Sequence, residues 1–287
     1  DPKVADIYKT NHNPKHFYIE DLRAFNKRNN LPKELYNLDL LDGSPPCSSF
    51  SMAGSREKGW GKNKKFREGQ TKQVLDDLVY VYIDTIAKLK PKVALLENVK
   101  GLIQGNAKSY AKKIKTKFEK LGYRVQVFLL NSASMGVPQK RERVFFIGLR
   151  NDFKLPILKL NFNEKVINYS KIEDNCYENK IANCDFKYFK ICKEGKSIAS
   201  VHPKGNRFNS IKLSRNNVVN TIASGSELYH YEKEKALSNN ELKLAGSYPL
   251  DYDFKSIKPQ YLIGMSVPPV MTAQIAHQIY KQWLSKI

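Results

Sequence analysis

Four side chains with reactive or charged ends lie in three short polar segments. Cys47 follows two prolines, and Glu97 opens the segment Glu-Asn-Val. Arg141 and Arg143 flank a glutamate further along the chain. Singly, each has an ordinary structural explanation, because a lone cysteine is most often a small buried hydrophobe. Together, a thiol that can act as a nucleophile, an acid that can donate a proton and two cations predict covalent catalysis.

Hydrophobic periodicity predicts the elements that position these groups. Apolar runs predict strands over residues 35–41, 93–96, 123–130 and 144–149, and helical spacing predicts helices over 71–90, 107–121 and 270–284. Strands that alternate with helices are typical of a doubly wound α/β sheet with mostly parallel strands. Ligands collect beyond the carboxyl ends of such strands, where Cys47 and Glu97 fall. If the last strand runs antiparallel, it starts at the same edge and both arginines face the thiol.

The composition favours a soluble protein with a polyanionic partner. The chain has 287 residues, of which 49 are Lys or Arg and 28 are Asp or Glu, giving a net charge of +21. A hydrophobic content of 41% excludes global disorder, and no apolar run approaches the length of a membrane span. Four cysteines are too few for a disulfide scaffold and indicate a reducing, cytoplasmic setting.

Two further patterns bear on binding. Residues 56–72 are basic and rich in glycine without any apolar period, which predicts a mobile loop that can close over a phosphate backbone. Cys176, Cys184 and Cys192 recur every eight residues, but no Cys-x-x-Cys pair and no intervening histidine accompanies them. We therefore expect no metal site.

In their order along the chain, these segments resemble the signature blocks of the DNA cytosine-5 methyltransferases of bacterial restriction-modification type. The specific part of the likeness is the set Pro-Pro-Cys, Glu-Asn-Val and Gln-Lys-Arg-Glu-Arg. Further blocks are matched by residues 131–139 and 263–268 and, more weakly, by 221–222 and 237–249. The likeness covers nearly the whole chain except residues 151–215, where that family keeps its variable target-recognition region.

The resemblance implies the class I fold of S-adenosylmethionine-dependent methyltransferases, with a doubly wound, mostly parallel α/β sheet and a smaller irregular or β-rich domain. Residues 1–150 and 260–287 are then expected to form the catalytic domain, and residues 151–259 the target-recognition domain. The smaller domain would face the larger one across a basic cleft that holds duplex DNA.

The implied chemistry is methyl transfer from S-adenosylmethionine to C5 of a cytosine flipped out of the duplex. Because C5 is a poor nucleophile, the thiolate of Cys47 is expected to add at C6 and push electron density to C5. Glu97 is expected to protonate N3 or share a proton with it. Arg141 and Arg143 are expected to hold the ring carbonyl and the nearby backbone, with Arg143 on O2.

The resemblance also assigns residues to the cofactor and to the DNA. The residues expected to bind S-adenosylmethionine are Asp21, Leu22, Pro46, Ser266 and Val267. The residues expected to contact duplex DNA are Ser51, Arg56, Gln139 and Lys140.

The chain departs from the family pattern at its start and near its end. The family begins with a Phe-x-Gly-x-Gly loop and an acidic residue that hold the cofactor, and residues 1–14 look like the segment just downstream of both. We therefore expect a missing N-terminal stretch, or a second polypeptide, to supply that half of the cofactor pocket. Met265 stands where the family usually has asparagine, so Ser266 and backbone groups are expected to hold the cofactor there.

Two other functions remain open from the sequence. An RNA cytosine-5 methyltransferase acting on tRNA has a similar fold and would also explain the net charge. A non-enzymatic DNA-binding subunit of a split methyltransferase would explain the absent glycine loop. The bases that the recognition region reads follow no pattern visible in a single sequence.

Overall fold

The computed structural model describes residues 1–46 and 77–287, and the chain divides into two compact units. Unit 1 comprises Asp1–Leu130, Glu142–Leu160 and Gln278–Ile287, and unit 2 comprises Asn131–Arg141 and Asn161–His277. This division differs from the predicted domains, because residues 131–141 and most of 260–277 belong to unit 2. Backbone hydrogen bonds show why: the amide of Lys140 donates to the carbonyl of Val219 and the amide of Val219 donates to the carbonyl of Pro138.

A small mixed sheet forms the centre of unit 1. Its strands are β1 (Leu40–Gly43), β2 (Val93–Val99), β3 (Tyr123–Asn131) and β4 (Glu142–Arg150), in the order β1-β2-β4-β3, and β3 ends at the boundary with unit 2. Strand β1 runs parallel to β2, whereas β4 runs antiparallel to β2. The α/β class is confirmed, and the last strand meets the condition of running antiparallel. The described strands do not form the doubly wound, mostly parallel sheet that the sequence predicted.

The helices of unit 1 are α1 (Pro2–His12), α2 (Leu22–Lys27), α3 (Leu78–Leu89) and α4 (Lys108–Lys120). The helix predicted over 107–121 is confirmed, and its buried face carries Tyr110, Ile114 and Phe118 while its lysines stay outside the core. The strand predicted over 35–41 is wrong at its start, because a 3-10 turn occupies Lys33–Tyr36. The start of the helix predicted over 71–90 lies outside the described residues.

Helix α3 packs on the sheet through a buried tyrosine that joins two strands. The ring of Tyr82 belongs to the apolar core of unit 1. Its hydroxyl lies 3.0 Å from the carbonyl oxygen of Leu41 on β1 and 2.7 Å from that of Leu95 on β2. Because the same ring covers Gly43, the last residue of β1, no side chain fits at that position.

Replacing Gly43 with alanine is expected to lower the melting temperature. The added methyl group would overlap ring carbons of Tyr82, which is buried and cannot turn aside. Overpacking of this kind costs about 1–3 kcal/mol. Thermal unfolding followed by circular dichroism measures the change. Gly225→Ala is the matched control, since nothing lies within 4 Å of the methyl there, and an unshifted Gly43→Ala protein would show that the ring moves away.

Unit 2 is largely irregular, as the sequence predicted for its central part. It contains the two-stranded parallel sheet of β5 (Ser210–Lys212) and β6 (Glu227–Tyr229). Its helices are α5 (Asn183–Ile191), α6 (Asn239–Ala245), α7 (Pro259–Met265) and most of α8 (Pro269–Gln282). The helix predicted over 270–284 is thus confirmed as α8.

A buried charge cluster holds the irregular part of unit 2 together. The ammonium group of Lys235 is fully buried and lies 2.9 Å from Asp174 and 3.1 Å from Glu241. Tyr169 donates its hydroxyl proton to the other oxygen of Glu241 at 2.8 Å, and Glu241 also closes a capping box with Ser238 at the start of α6. The buried ammonium group therefore has carboxylate partners that compensate its charge. An apolar cluster that includes Ile181, Phe189 and Ile198 forms a core in the same unit.

Residues 1–46 and 77–287 contain neither a membrane-spanning helix nor a cluster of metal-binding side chains. No helix there is long and apolar enough to cross a membrane. The same residues hold no group of three or more His, Cys, Asp or Glu side chains arranged to bind a metal ion.

Candidate active site

A carboxylate and a guanidinium form a close pair at the carboxyl end of β2. The Nε atom of Arg143 lies 2.9 Å from Oε1 of Glu97, and the two side chains are only 15% and 11% exposed. The strand ladder explains the contact. Glu97 is opposite Phe145 and Val99 is opposite Arg143, so positions 97 and 143 are diagonal neighbours on one face of the sheet.

Burial and the neighbouring carboxylate have opposite effects on the pKa of Arg143. Burial lowers the pKa of Arg143, whereas the neighbouring Glu97 raises it. An arginine starts from so high a value that it stays protonated near neutral pH. The guanidinium also donates a hydrogen bond from Nη1 to the carbonyl of Glu142 at 2.8 Å. Arg143 is therefore a fixed cation that orients the carboxyl group of Glu97.

A second ion pair lies at the same strand ends but is more open to solvent. The ammonium group of Lys100 is 3.0 Å from a carboxylate oxygen of Glu142, and each side chain is about one third exposed. Solvent screening makes such a pair worth little to stability. Glu142 is thus adjacent in sequence to Arg143 but pairs with Lys100.

The residue after Glu97 connects β2 to the segment that leads to the predicted nucleophile. Asn98 is buried, and its Nδ2 donates to the carbonyl of Pro45 at 3.1 Å, while its Oδ1 accepts from the amide of Val99 at 2.8 Å. Pro45 lies two residues before Cys47. The sequence motif includes Asn98, but its spacing alone does not reveal this contact across the sheet.

Three residues of the predicted site fall outside the described residues. They are Cys47, Ser51 and Arg56. Pro46, expected at the cofactor, is the last described residue before them and is partly buried. The neighbourhood of Cys47 remains a prediction from sequence.

The structure places Arg141 inside unit 2, whereas the thiol that both arginines are expected to face lies outside the described residues. Arg141 is 1% exposed, and its guanidinium donates to the carbonyls of Ile222 at 2.7 Å and Gly264 at 2.8 Å. These partners are 81 and 123 residues away in sequence. The guanidinium therefore joins distant segments of the unit, a role that no local pattern reveals.

The two residues before Arg141, both expected at the DNA, differ from each other in exposure. Gln139 is fully buried, donates to the carbonyl of Ala245 and accepts from the amide of Ile222, so it has a structural role instead of the direct DNA contact that the sequence predicted. Lys140 is exposed, and its backbone is bound to Val219 and to the hydroxyl of Thr221.

The residues expected to bind the cofactor lie in both units. In unit 1, Asp21 caps the start of α2 by accepting from the amide of Arg23 at 2.7 Å, and Leu22 packs against the core. In unit 2, the hydroxyl of Ser266 lies 2.8 Å from that of Tyr248, and Val267 is partly buried. The carboxylate of Asp21 also pairs with the guanidinium of Arg23 at 3.1 Å. An exposed carboxylate beside an apolar residue suits an adenine ring with its exocyclic amine, which would share the carboxylate with that cation.

Comparison with known proteins gives a consistent likeness along the chain. A family model described as C-5 cytosine-specific DNA methylase matches residues 1–281. The type II methyltransferase M1.HphI of Haemophilus parahaemolyticus is 27% identical over 314 residues, which cover 98% of this chain and 79% of that protein. The type II methyltransferase M.Bsp6I of a Bacillus species is 27% identical over 304 residues, covering 99% and 90%.

Solved structures show the same fold. One is described as a DNA modification methyltransferase encoded within a prophage of E. coli; it has a TM-score of 0.72 and 16% identity, covering 98% of this chain and 90% of that one. Another, the methyltransferase EhMeth of Entamoeba histolytica, has a TM-score of 0.64 and 14% identity, with coverages of 98% and 88%.

Proposed function

The chain belongs to the C-5 cytosine-specific DNA methylase family and is a DNA cytosine-5 methyltransferase, and from this premise we propose that it acts through a covalent adduct between Cys47 and a flipped-out cytosine. The observation that carries the proposal is the Glu97–Arg143 pair. N3 and O2 are adjacent on the edge of the cytosine ring. A carboxyl group and a guanidinium held side by side match that edge.

The reaction begins with addition of the Cys47 sulfur to C6 of the ring. A bond forms between sulfur and C6, and the π electrons of the C5–C6 bond move toward C5. Glu97 stabilises this redistribution by placing a proton at N3, while Arg143 holds the carboxyl group and donates to O2. The residues that would hold part of S-adenosylmethionine are Asp21, Leu22, Pro46, Ser266 and Val267; the bound cofactor would supply a methyl group to C5 and leave as S-adenosylhomocysteine. Loss of the C5 proton to solvent and departure of the Cys47 sulfur as a thiolate then restore the C5–C6 double bond.

Duplex DNA is the substrate, and a base inside a duplex must be rotated out before a thiol can reach C6. Ser51, Arg56 and Lys140 are the side chains proposed to contact the DNA. Residues of unit 2 within 151–259 are proposed to select the target sequence. By analogy with the type II methyltransferases that the chain resembles, we place it in a restriction-modification system in a bacterial cytoplasm.

The direct test is transfer of a labelled methyl group from S-adenosylmethionine to duplex DNA, with tRNA as the parallel substrate. Bisulfite sequencing of the product DNA identifies the modified cytosines and the target sequence together. We expect 5-methylcytosine at one short sequence and no label in tRNA. Label in tRNA alone would favour the RNA methyltransferase instead.

Asn98 is proposed to position the nucleophile through the carbonyl of Pro45. Asn98→Ala is expected to lower kcat by about 10–100-fold, because small misplacements of a reacting group have effects of that size. Asn26→Ala is the matched control, since Asn26 also donates to a backbone carbonyl, that of Val81 at 3.0 Å, on α3. Steady-state methylation and melting temperature are measured for both. If both variants lose stability and kcat equally, Asn98 only supports the fold.

A further inference from the structure

The net positive charge of residues 161–277 is concentrated in one stretch of sequence. Residues 186–215 contain eight Lys or Arg and a single acidic residue, whereas the rest of 161–277 contains eight basic and eleven acidic residues. The stretch covers the end of α5, the loops that follow it and β5. An accumulation of this kind in a protein that acts on DNA indicates a contact with phosphates.

Four lysines of this stretch have exposed side chains and form what we call the basic face. They are Lys187, Lys193, Lys196 and Lys204. Lys187 lies 4.8 Å from the ring centre of Tyr188, and that ring contacts His202, two residues before Lys204. Lys196 is joined to the sheet because its carbonyl accepts from the amide of Lys212 on β5. The basic face is therefore supported by packed structure.

The acidic groups nearest to these lysines are bound by other partners. Asp185 is fully buried, and its two oxygens accept from Arg207 at 2.7 and 2.8 Å and from Tyr229 at 2.6 Å. Glu194, the one acidic residue of the stretch, accepts from the backbone amide of Arg215 at 2.6 Å. The ammonium group of Lys190 pairs with Glu234 at 3.5 Å, and we leave that lysine out of the basic face.

A buried thiol orders the loop that carries two of the four lysines. The sulfur of Cys192 lies 3.6 Å from each of the carbonyl oxygens of Lys193, Lys196 and Ser197. Burial raises the pKa of this thiol, so it stays protonated, and its single S–H lies within reach of all three carbonyl oxygens. The carbonyl groups of Lys193 and Lys196 face this buried sulfur, whereas the side chains of the two lysines are exposed to solvent.

Apolar side chains are exposed within the same stretch. Ile191 is 64% exposed and Phe208 is 59% exposed. Large apolar groups among lysines suit a surface that meets sugars and base edges as well as phosphates, since DNA interfaces combine backbone and groove contacts. Anionic lipid is the other partner with this chemistry, but the chain's reaction requires duplex DNA.

We propose that the basic face of Lys187, Lys193, Lys196 and Lys204 binds the phosphate backbone of the duplex that carries the target cytosine. The inference rests on the proposed function, because it takes duplex DNA as the substrate. The four lysines contribute affinity and orientation and carry no sequence information of their own.

The test compares the salt dependence of DNA binding for two variants with equal changes in charge. In the first, all four lysines of the basic face are replaced with glutamine. In the control, four exposed lysines of unit 2 outside the stretch are replaced with glutamine; these are Lys165, Lys171, Lys180 and Lys258. Fluorescence anisotropy with a labelled duplex gives the association constant between about 50 and 200 mM salt, the range over which phosphate contacts are revealed.

The basic-face variant is expected to bind at least about 10-fold more weakly at 100 mM salt, with a log–log salt slope smaller in magnitude by about 3–4. The control is expected to retain the wild-type slope. Equal slopes for the two variants, or weakened binding to phosphatidylserine vesicles with unchanged DNA binding, would overturn the proposal. Methylation by the wild-type protein is assayed on the same duplex, so an inactive wild type counts against the proposed function and not against the basic face.

Discussion

Cys47→Ser is expected to lower methyl transfer to duplex DNA by about 10⁴-fold or more while DNA binding persists, because removal of a covalent nucleophile has effects of this order. A hydroxyl group at this position is far less ionised than a thiol near neutral pH and adds to C6 much more slowly. The contacts proposed to hold the DNA do not involve the sulfur. Labelled methyl transfer and a gel-shift assay on one duplex measure the two properties separately.

Cys184→Ser is the control for this substitution, because Cys184 is an exposed free thiol in unit 2. It is expected to behave as wild type in both assays. A denaturant-resistant complex between protein and DNA that contains 5-fluorocytosine should form with Cys184→Ser and not with Cys47→Ser. Continued methylation by Cys47→Ser would show that another group attacks the ring.

Glu97→Gln is expected to lower kcat by about 10²–10⁴-fold, the usual contribution of an acid or base that moves a proton in the transition state. Glutamine keeps the size of the side chain and an oxygen that can accept from Arg143. It cannot give a proton to N3, nor can it balance the buried positive charge of Arg143. The loss should therefore appear in kcat, with a smaller decrease in melting temperature.

Glu142→Gln provides the matched control for Glu97→Gln. Glu142 is one residue before Arg143 and pairs with Lys100 instead, in a partly exposed position. Its replacement should change stability by no more than about 1 kcal/mol and leave kcat close to wild type. Steady-state kinetics with saturating DNA decide the point. If both substitutions lower kcat to the same extent, the loss comes from the charge at the strand ends and not from an acid at position 97.

The part of the site that could be predicted from the sequence depends on local patterns. The apolar run that begins at Val93 specifies β2, and strand order then brings Glu97 to the carboxyl end of the sheet. The antiparallel direction of β4 was a condition in the prediction, and it is what allows Arg143 to reach Glu97. The family follows from the order of the motifs and is confirmed.

The remaining features depend on contacts between distant segments. Arg141 and Arg143 are two residues apart and look equivalent in sequence, yet the first donates to carbonyls of residues 222 and 264 and the second to Glu97. The same contacts assign residues 131–141 to unit 2. No periodicity within a short window encodes partners more than 80 residues away, so the domain boundary could not be read from the sequence.

The division of the chain into units has a consequence for how such enzymes diversify. The ladder between β2 and β4 fixes the distance from Glu97 to Arg143 within unit 1. Residues 186–215 belong to unit 2, where loops outnumber regular elements. Insertion, deletion or recombination within those loops leaves the strand register intact. If residues of unit 2 select the target sequence, as proposed above, a lineage can acquire a new target preference by exchanging part of that unit while it inherits the same chemistry.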